Sequence, residues 1–167
     1  MKTSRLAALG AAAAALALAP AAAALSLPPF STERKSAGAA GDQAELFAVA
    51  VGCHAKFDRF VIRARFGTPG YVVRYARRIV EDGSGRPVRL RGNKRIRVTI
   101  RRARAHTEAG ARLLPPVLTP LCPNLRQVKD AGDFEGIVSF GLGLRRKTGF
   151  RVFRLTNPTR IVIDVAH

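Results

Sequence analysis

Histidines and carboxylates are the residues of this chain with the chemistry for metal binding or hydrolysis, and their spacing decides whether either is expected. His54 lies four residues before Asp58, His106 lies two residues before Glu108, and His167 stands apart from both pairs. A catalytic zinc site uses three protein ligands and keeps one position open, but the sequence contains no H-E-x-x-H motif. Only tertiary structure could bring these residues together. We therefore predict neither a metal site nor a cofactor.

Asp133 and Glu135 form the one carboxylate pair that suggests glycosidic cleavage. On a strand, residues two apart share a face, and in an arginine-rich chain ion pairing is the simpler explanation. No G-x-S-x-G motif is present, and neither cysteine has a histidine at a suitable spacing. The Gly-Leu-Gly run at 141–143 begins like a nucleotide-binding loop, but Arg146 occupies the third glycine position. We predict no catalytic residue, and hence that the chain is not an enzyme.

Arginine gives the strongest positive signal. The 167 residues include 29 Lys and Arg against 11 Asp and Glu, so the formal net charge is +18. Such a charge favours anionic partners and exceeds what solubility requires, and guanidinium groups pair in bidentate fashion with phosphate and carboxylate. We predict that an anionic polymer binds to arginines on two strands, Arg63, Arg65, Arg95, Arg97 and Arg101. If the strands are neighbours, these form one cationic face; the alternative is that surface arginine only maintains solubility.

The N-terminus has the layout of an export signal. Lys2 and Arg5 precede an apolar run over 6–19, which Pro20 ends before a stretch of small residues. The run is shorter than the roughly 20 residues of a membrane-spanning helix. We predict that residues 1–24 are a signal peptide cleaved after Ala24, so that the protein is secreted and keeps no membrane span. An uncleaved anchor is the alternative.

Export also determines what is expected of the two cysteines. Outside the cytosol, two cysteines usually pair, so we predict a disulfide between Cys53 and Cys122. A reactive thiol and an intermolecular bond are the alternatives.

Period-two alternation of apolar and charged residues indicates strands. In 59–66 and in 94–101, apolar side chains alternate with arginine, as expected of half-buried strands with arginine outward. Further strands are predicted over 71–80, 134–144, 150–156 and 160–165, and Gly92-Asn93 is predicted to be a hairpin tip. No helical stripe is convincing. The fold class predicted is all-β, an antiparallel β-sandwich of two sheets.

Around these strands, composition suggests the remaining organisation. Residues 25–51 are predicted to be a flexible leader, within which 44–51 could form a helical turn or two or an additional strand. Residues 114–123 are rich in proline and are predicted to be an ordered loop. The folded domain is predicted to span 52–167.

Several blocks of sequence occur in a defined order along this domain. They are Gly-Cys-His at 52–54, Phe-Asp-Arg-Phe-Val at 57–61, the turn at 82–88, the stretch 123–128, Gly-Asp-Phe-Glu-Gly at 132–136 and the last two strands over 150–153 and 158–165. In this order they resemble the AMIN-like domain of exported actinobacterial proteins and lipoproteins. AMIN domains proper are non-catalytic β-sandwich modules that target envelope enzymes to peptidoglycan. The resemblance implies a secreted, wall-associated module that binds peptidoglycan or anionic wall polymers, and beside them an envelope protein as a further partner.

Four residues of the resembling blocks lie at the edges of the first and last core strands, namely Asp58, Arg59, Arg160 and Asp164. Opposite charges on neighbouring strands fix register, so we expect structural ion pairs, with contact to a glycan as the alternative. A module that binds a protein partner, with incidental charge, is the alternative function. A hydrolase would need a cleft that gathers His54, Asp58 or Glu135. Nucleic acid is disfavoured, because Trp is absent and only two Tyr are available to stack bases.

Overall fold

The computed structural model describes residues 26–167, and the predicted signal peptide therefore lies outside the described residues. Within this range the chain forms strands and no helix, so none of the described residues forms a helix able to cross a membrane. The strands are β1 (Lys35–Ala37), β2 (Ala40–Cys53), β3 (Phe57–Thr68), β4 (Gly70–Tyr75), β5 (Lys94–Arg101), β6 (Ala103–Arg104), β7 (Val117–Leu118), β8 (Leu125–Phe134), β9 (Ile137–Leu144), β10 (Phe150–Leu155) and β11 (Thr159–Ala166).

These strands form two packed sheets, which confirms the predicted sandwich. The six-stranded sheet has the order β1-β4-β5-β9-β8-β7, and the five-stranded sheet has the order β10-β11-β3-β2-β6. All neighbours are antiparallel except β2 and β6, which pair in parallel.

The core lies between the sheets and is built from the predicted alternation. On β3, Phe60 and Ile62 are fully buried, and on β5, Ile96 and Val98 are fully buried, while the arginines at alternate positions of both strands lie on the outer faces of the sheets. Burying each such side chain contributes about 1.5–3 kcal/mol. Phe60 also packs edge-to-face against Phe140 of β9, with ring centroids 5.5 Å apart. Because β9 pairs with β5, the two arginine-bearing strands, β3 and β5, belong to opposite layers of one core.

The leader predicted over 25–51 does not agree with the structure. It contains β1 and most of β2, and Ala44 and Leu46 of β2 are completely buried. Of the alternatives for 44–51, the additional strand is the one observed. The alternation of β2 is interrupted because a bulge shifts its register against β3 between Leu46 and Ala48. A bulge places two residues opposite one, which hides a strand from a period-two search.

The segment 76–93 contradicts two predictions, the strand over 71–80 and the hairpin tip at Gly92-Asn93. β4 ends at Tyr75, and Gly92-Asn93 is not the tip of a hairpin between strands but the end of a long connection to β5. This connection lies on the outer face of the six-stranded sheet. It can approach closely because β9 presents glycine there: a Cβ on Gly141 would lie 2.8 Å from Leu90 Cδ1, and one on Gly143 would overlap the carbonyl oxygen of Arg91.

Candidate functional site

The predicted disulfide is present, and it joins the two layers at one end of the sandwich. Cys53 ends β2 in the five-stranded sheet, and Cys122 precedes β8 in the other. Asp58 is buried beside it, and its Oδ2 accepts hydrogen bonds from the backbone N–H groups of Asn124 and Leu125, each at 2.7 Å. The two sulfurs and the Asp58 carboxylate lie within 4.8 Å of one another. Because the sulfurs are bonded to each other, no thiolate is free to bind a metal.

Asp164 is the centre of an ion-pair cluster on the outer face of the five-stranded sheet. It is fully buried and accepts hydrogen bonds from Arg59 on β3, at 2.6 and 2.9 Å, and from Arg151 on β10, at 2.8 Å. The bond to Asp164 raises the pKa of the Arg59 guanidinium above its ordinary value. Both guanidinium groups also lie over the ring of Phe57, at 5.0 and 5.3 Å. The cluster therefore ties three strands together at a fixed register.

Arg160 takes no part in this cluster. Its guanidinium instead donates to the carbonyl oxygens of Pro158, at 3.2 Å, and Thr156, at 3.3 Å, in the turn before β11. Directly opposite Arg160 on β3 lies Arg63, so this cross-strand pair brings like charges together. The four residues singled out at the strand edges thus have three different environments.

The five arginines predicted to bind a polymer do not share one surface. Arg63 and Arg65 lie on β3 in the five-stranded sheet, whereas the other three, Arg95, Arg97 and Arg101, lie on β5 in the six-stranded sheet. Outer faces of a sandwich point in opposite directions, so the single cationic face that neighbouring strands would have formed does not exist. Strand order decides this, and strand order cannot be obtained from local alternation.

Arg65 is held by an acidic partner within its own sheet. It pairs with Glu45 of β2, which is buried and also pairs with Arg104 of β6 at 3.2 Å. Burial acts to raise the pKa of the Glu45 carboxyl, but hydrogen bonds and charge from the two arginines outweigh it and hold the pKa below its ordinary value. Arg65 therefore has a structural partner before any polymer is bound.

Arg97 anchors the connection that covers the six-stranded sheet. Its guanidinium donates to the carbonyl oxygen of Val80 at 2.8 Å and pairs with Asp82. Only 14% of the Arg97 side chain is exposed. This arginine is therefore unavailable to a polymer unless the connection 76–93 moves away.

The other three predicted arginines make no side-chain hydrogen bond or ion pair within residues 26–167, and each lies in a different place. Arg63 is on the outer face of the five-stranded sheet. Arg101 lines a depression of about 530 Å³ with Arg34 and Arg102 at the end of β5. Arg95 lies at the start of β5, among other basic side chains.

We call the region around Arg95 the cationic end. It consists of two shallow depressions of about 400 and 370 Å³ that share Asn93, at the start of β5 and the end of β9. Neither is lined by a carboxylate. Seven basic side chains line them, namely Arg77, Arg91, Lys94, Arg95, Arg126, Arg145 and Lys147.

Fixed neighbours position parts of the cationic end. The Tyr75 hydroxyl donates to the carbonyl oxygen of Thr148 at 2.7 Å and accepts from its N–H at 3.0 Å, and Lys147 lies 5.4 Å over the Tyr75 ring. Arg126 donates to the carbonyl oxygen of Cys122 at 3.1 Å, next to the disulfide. This region was not predicted as a unit, although the basic runs 77–78, 94–95 and 145–147, which contribute to it, are visible in the sequence.

The residues required for the hydrolase hypothesis are not gathered in one cleft. Asp58 contacts the residues that begin β8, and His54 stacks on Phe57 beside it, with ring centroids 4.6 Å apart. Glu135 follows the last residue of β8. These side chains are therefore separated by the full length of a ten-residue strand.

The model of the AMIN-like domain family matches residues 44–167. No curated protein and no solved structure matches the chain. The match begins at Ala44, the first fully buried residue of β2, and runs through every later strand.

Proposed function

We propose that this chain, which belongs to the AMIN-like domain family, is a secreted, non-catalytic module. In this proposal it binds anionic polymers of the cell wall through its cationic end. Membership of this family suggests an envelope-related module, and the family and the disulfide are consistent with an extracellular protein. In this proposal the protein is exported and associates with the cell wall. The ligand groups are peptidoglycan carboxylates and, where present, wall phosphates.

The observation that carries the proposal is the composition of the cationic end. Its two adjoining depressions gather seven basic side chains and no carboxylate. Basic groups without acidic neighbours attract polyanions over several ångströms, and the attraction weakens as salt shortens the Debye length. Arginine forks add bidentate contacts with phosphate and carboxylate. Of the five arginines predicted from sequence, the proposal keeps only Arg95 in this role.

Co-sedimentation with purified cell walls tests the proposal. The triple charge reversal K94E/R95E/R145E changes three residues of the cationic end that make no side-chain ion pair within the described residues. We expect it to reduce wall binding by at least about a hundredfold, because each lost contact with a polyanion costs on the order of 1 kcal/mol. Raising the salt concentration should weaken the binding of the unaltered protein.

The matched control is R34E/R63E/R101E, which reverses three exposed arginines elsewhere on the surface. This control carries the same change in net charge, and we expect it to retain most of the wall binding at moderate salt. Equal losses for the two triple variants would show that net charge alone acts, and the cationic end would then not be the site. Walls stripped of anionic polymers identify whether phosphate or peptidoglycan carboxylate is the ligand.

A module for a protein partner remains the alternative function, and it requires a contiguous exposed apolar patch. Among residues 26–167 the two most exposed large apolar side chains, Leu121 beside the disulfide and Phe66 near the far end of β3, lie at opposite ends of the sandwich. The other large exposed apolar side chains are Phe30, Val117 and Phe134. Failure to bind any wall preparation, together with salt-insensitive capture of one stoichiometric envelope protein, would favour this alternative over our proposal.

A further inference from the structure

A cavity of about 380 Å³ beside β8 has a character opposite to that of the cationic end. It forms where the connection 76–93, the loop after β6 and the bulge of β8 meet. Its charged lining combines four carboxylates, Glu81, Asp82, Asp130 and Asp133, with two guanidinium groups, Arg86 and Arg112. Four of the 11 acidic residues of a strongly basic chain thus line one cavity.

Two carboxylate oxygens of this lining have no partner. Asp82 Oδ2 and Asp133 Oδ1 are buried, and neither receives a hydrogen bond in the structure. Buried polar atoms in proteins are almost always paired, and the side chains that carry these two oxygens line the cavity, so each carboxylate keeps an unused acceptor for a donor that the cavity admits. An ammonium group supplies up to three donors and the opposite charge.

Both carboxylates are fixed by the protein before any ligand arrives. Asp133 Oδ2 accepts from the N–H of Ala105 at 2.8 Å and contacts His106 Nδ1 at 2.6 Å. Asp82 pairs with Arg97, and its own N–H donates to the carbonyl oxygen of Ala131 at 2.8 Å. Fixed groups lose little conformational freedom on binding, which favours affinity.

The lining also contains two guanidinium groups and apolar side chains. Arg86 and Arg112 each pair with one carboxylate, Glu81 and Asp130 respectively, and their side chains are 77% and 56% exposed. A guanidinium has five N–H donors, so each keeps donors for a second carboxylate. Leu114, Val138 and Phe140 add buried apolar surface to the lining, which suits a short methylene chain.

We propose that this cavity binds a zwitterionic amino-acid group, with its ammonium at Asp82 and Asp133 and its carboxylate at Arg86 and Arg112. The diamino acid of a peptidoglycan stem peptide has this chemistry, with methylene groups between two such ends. The proposal rests on the proposed function, since it names the part of the wall that this second site recognises. It is independent of the cationic end, because the two sites share no lining residue.

Titration of the full chain with meso-diaminopimelic acid, followed by amide chemical shifts, tests this proposal. We expect shifts that saturate, are confined to residues lining the cavity and give a Kd on the order of 1 mM, as suits a ligand of this size. The diacetylated compound, which lacks both ammonium charges, should bind at least about tenfold more weakly. These comparisons use the unaltered protein, so they do not depend on the folding of any variant.

The variant D82N/D133N removes both charges while keeping an oxygen acceptor at each position, and its amide spectrum reports whether it folds. We expect it to weaken binding of the diamino acid at least about tenfold, and the matched variant D42N, on an exposed part of β2, to bind as the unaltered protein does. Shifts outside the cavity, equal binding of the acetylated compound, or no saturable shift would each overturn the proposal. Wall co-sedimentation of D82N/D133N, read beside that of the cationic-end variant, shows separately whether the proposed function holds.

Discussion

Replacing Asp164 by asparagine tests how much one buried carboxylate contributes to the stability of the five-stranded sheet. Asp164 is fully buried and accepts three charge-assisted hydrogen bonds, two from Arg59 and one from Arg151. D164N keeps the size of the side chain but leaves two guanidinium groups without a counter-charge. Its amide also turns a donor toward groups that can only donate.

The expected loss of stability follows from how deeply Asp164 and its two arginine partners are buried. Removing one partner of a buried ion pair costs about 3–5 kcal/mol, because the remaining charge is left uncompensated. Here the Arg59 and Arg151 side chains are 26% and 13% exposed, so water can reach part of each guanidinium. We therefore expect D164N to lower the free energy of unfolding by about 3 kcal/mol, near the lower end of that range.

Urea unfolding followed by circular dichroism measures this loss. With a slope of about 2 kcal/mol/M, a loss of about 3 kcal/mol lowers the midpoint by about 1.5 M. The matched control is E108Q, which removes the charge of a carboxylate whose side chain is 85% exposed and which also pairs with an arginine, Arg104. An exposed pair contributes little, so E108Q should cost less than about 1 kcal/mol.

A second comparison isolates the cause. If the loss in D164N comes from unpaired guanidinium groups, then adding R59M and R151M should recover part of it, since no uncompensated charge then remains. A D164N loss no larger than that of E108Q, or a further loss on adding the two methionines, would refute the view that the cluster stabilises by compensating buried charge.

Two other predictions concern the outer face of the six-stranded sheet and the acid stability of the fold. In G143A the new Cβ would overlap the Arg91 carbonyl oxygen. We therefore expect urea unfolding to show a free energy of unfolding lower by about 1–3 kcal/mol, and we expect faster amide exchange over 76–93. The control G38A, whose new Cβ would have nothing within 4 Å, should leave that exchange unchanged. The pKa of Glu45 lies below its ordinary value of 4.5, so the contribution of its carboxylate to stability is complete above that pH and is lost as the pH falls through the pKa of the folded state. E45Q should therefore be less stable than the unaltered protein at neutral pH and should lose stability less steeply in acid. Parallel profiles of urea stability against pH would contradict this.

The faces of single strands could be predicted from sequence, because successive side chains of a strand point to opposite faces of the sheet. Ile62 on β3 and Val98 on β5 therefore face the core as expected. The bulge after Leu46 breaks that local rule, and for this reason alternation alone does not reveal β2 as a strand.

The position of the functional surfaces could not be predicted in the same way. Whether Arg63 and Arg95 share a face depends on which sheet each strand joins, and that is set by contacts distant in sequence. One signal was nevertheless available: in 138–144 the apolar residues alternate with Ser139, Gly141 and Gly143. Small residues along an outward face indicate that backbone packs against it, as the connection 76–93 does.

The short outer strands of both sheets bear on how the protein behaves when crowded. The six-stranded sheet ends in β1 and β7, of three and two residues, and the five-stranded sheet ends on one side in the two-residue β6. On the other side, β10 carries Arg154, whose guanidinium donates to the carbonyl oxygens of Gly38 and Pro69. Short or charged edges offer little template for another strand. Copies concentrated along a polymer of the kind that we propose as ligand would therefore remain individual molecules instead of joining edge to edge into ordered aggregates.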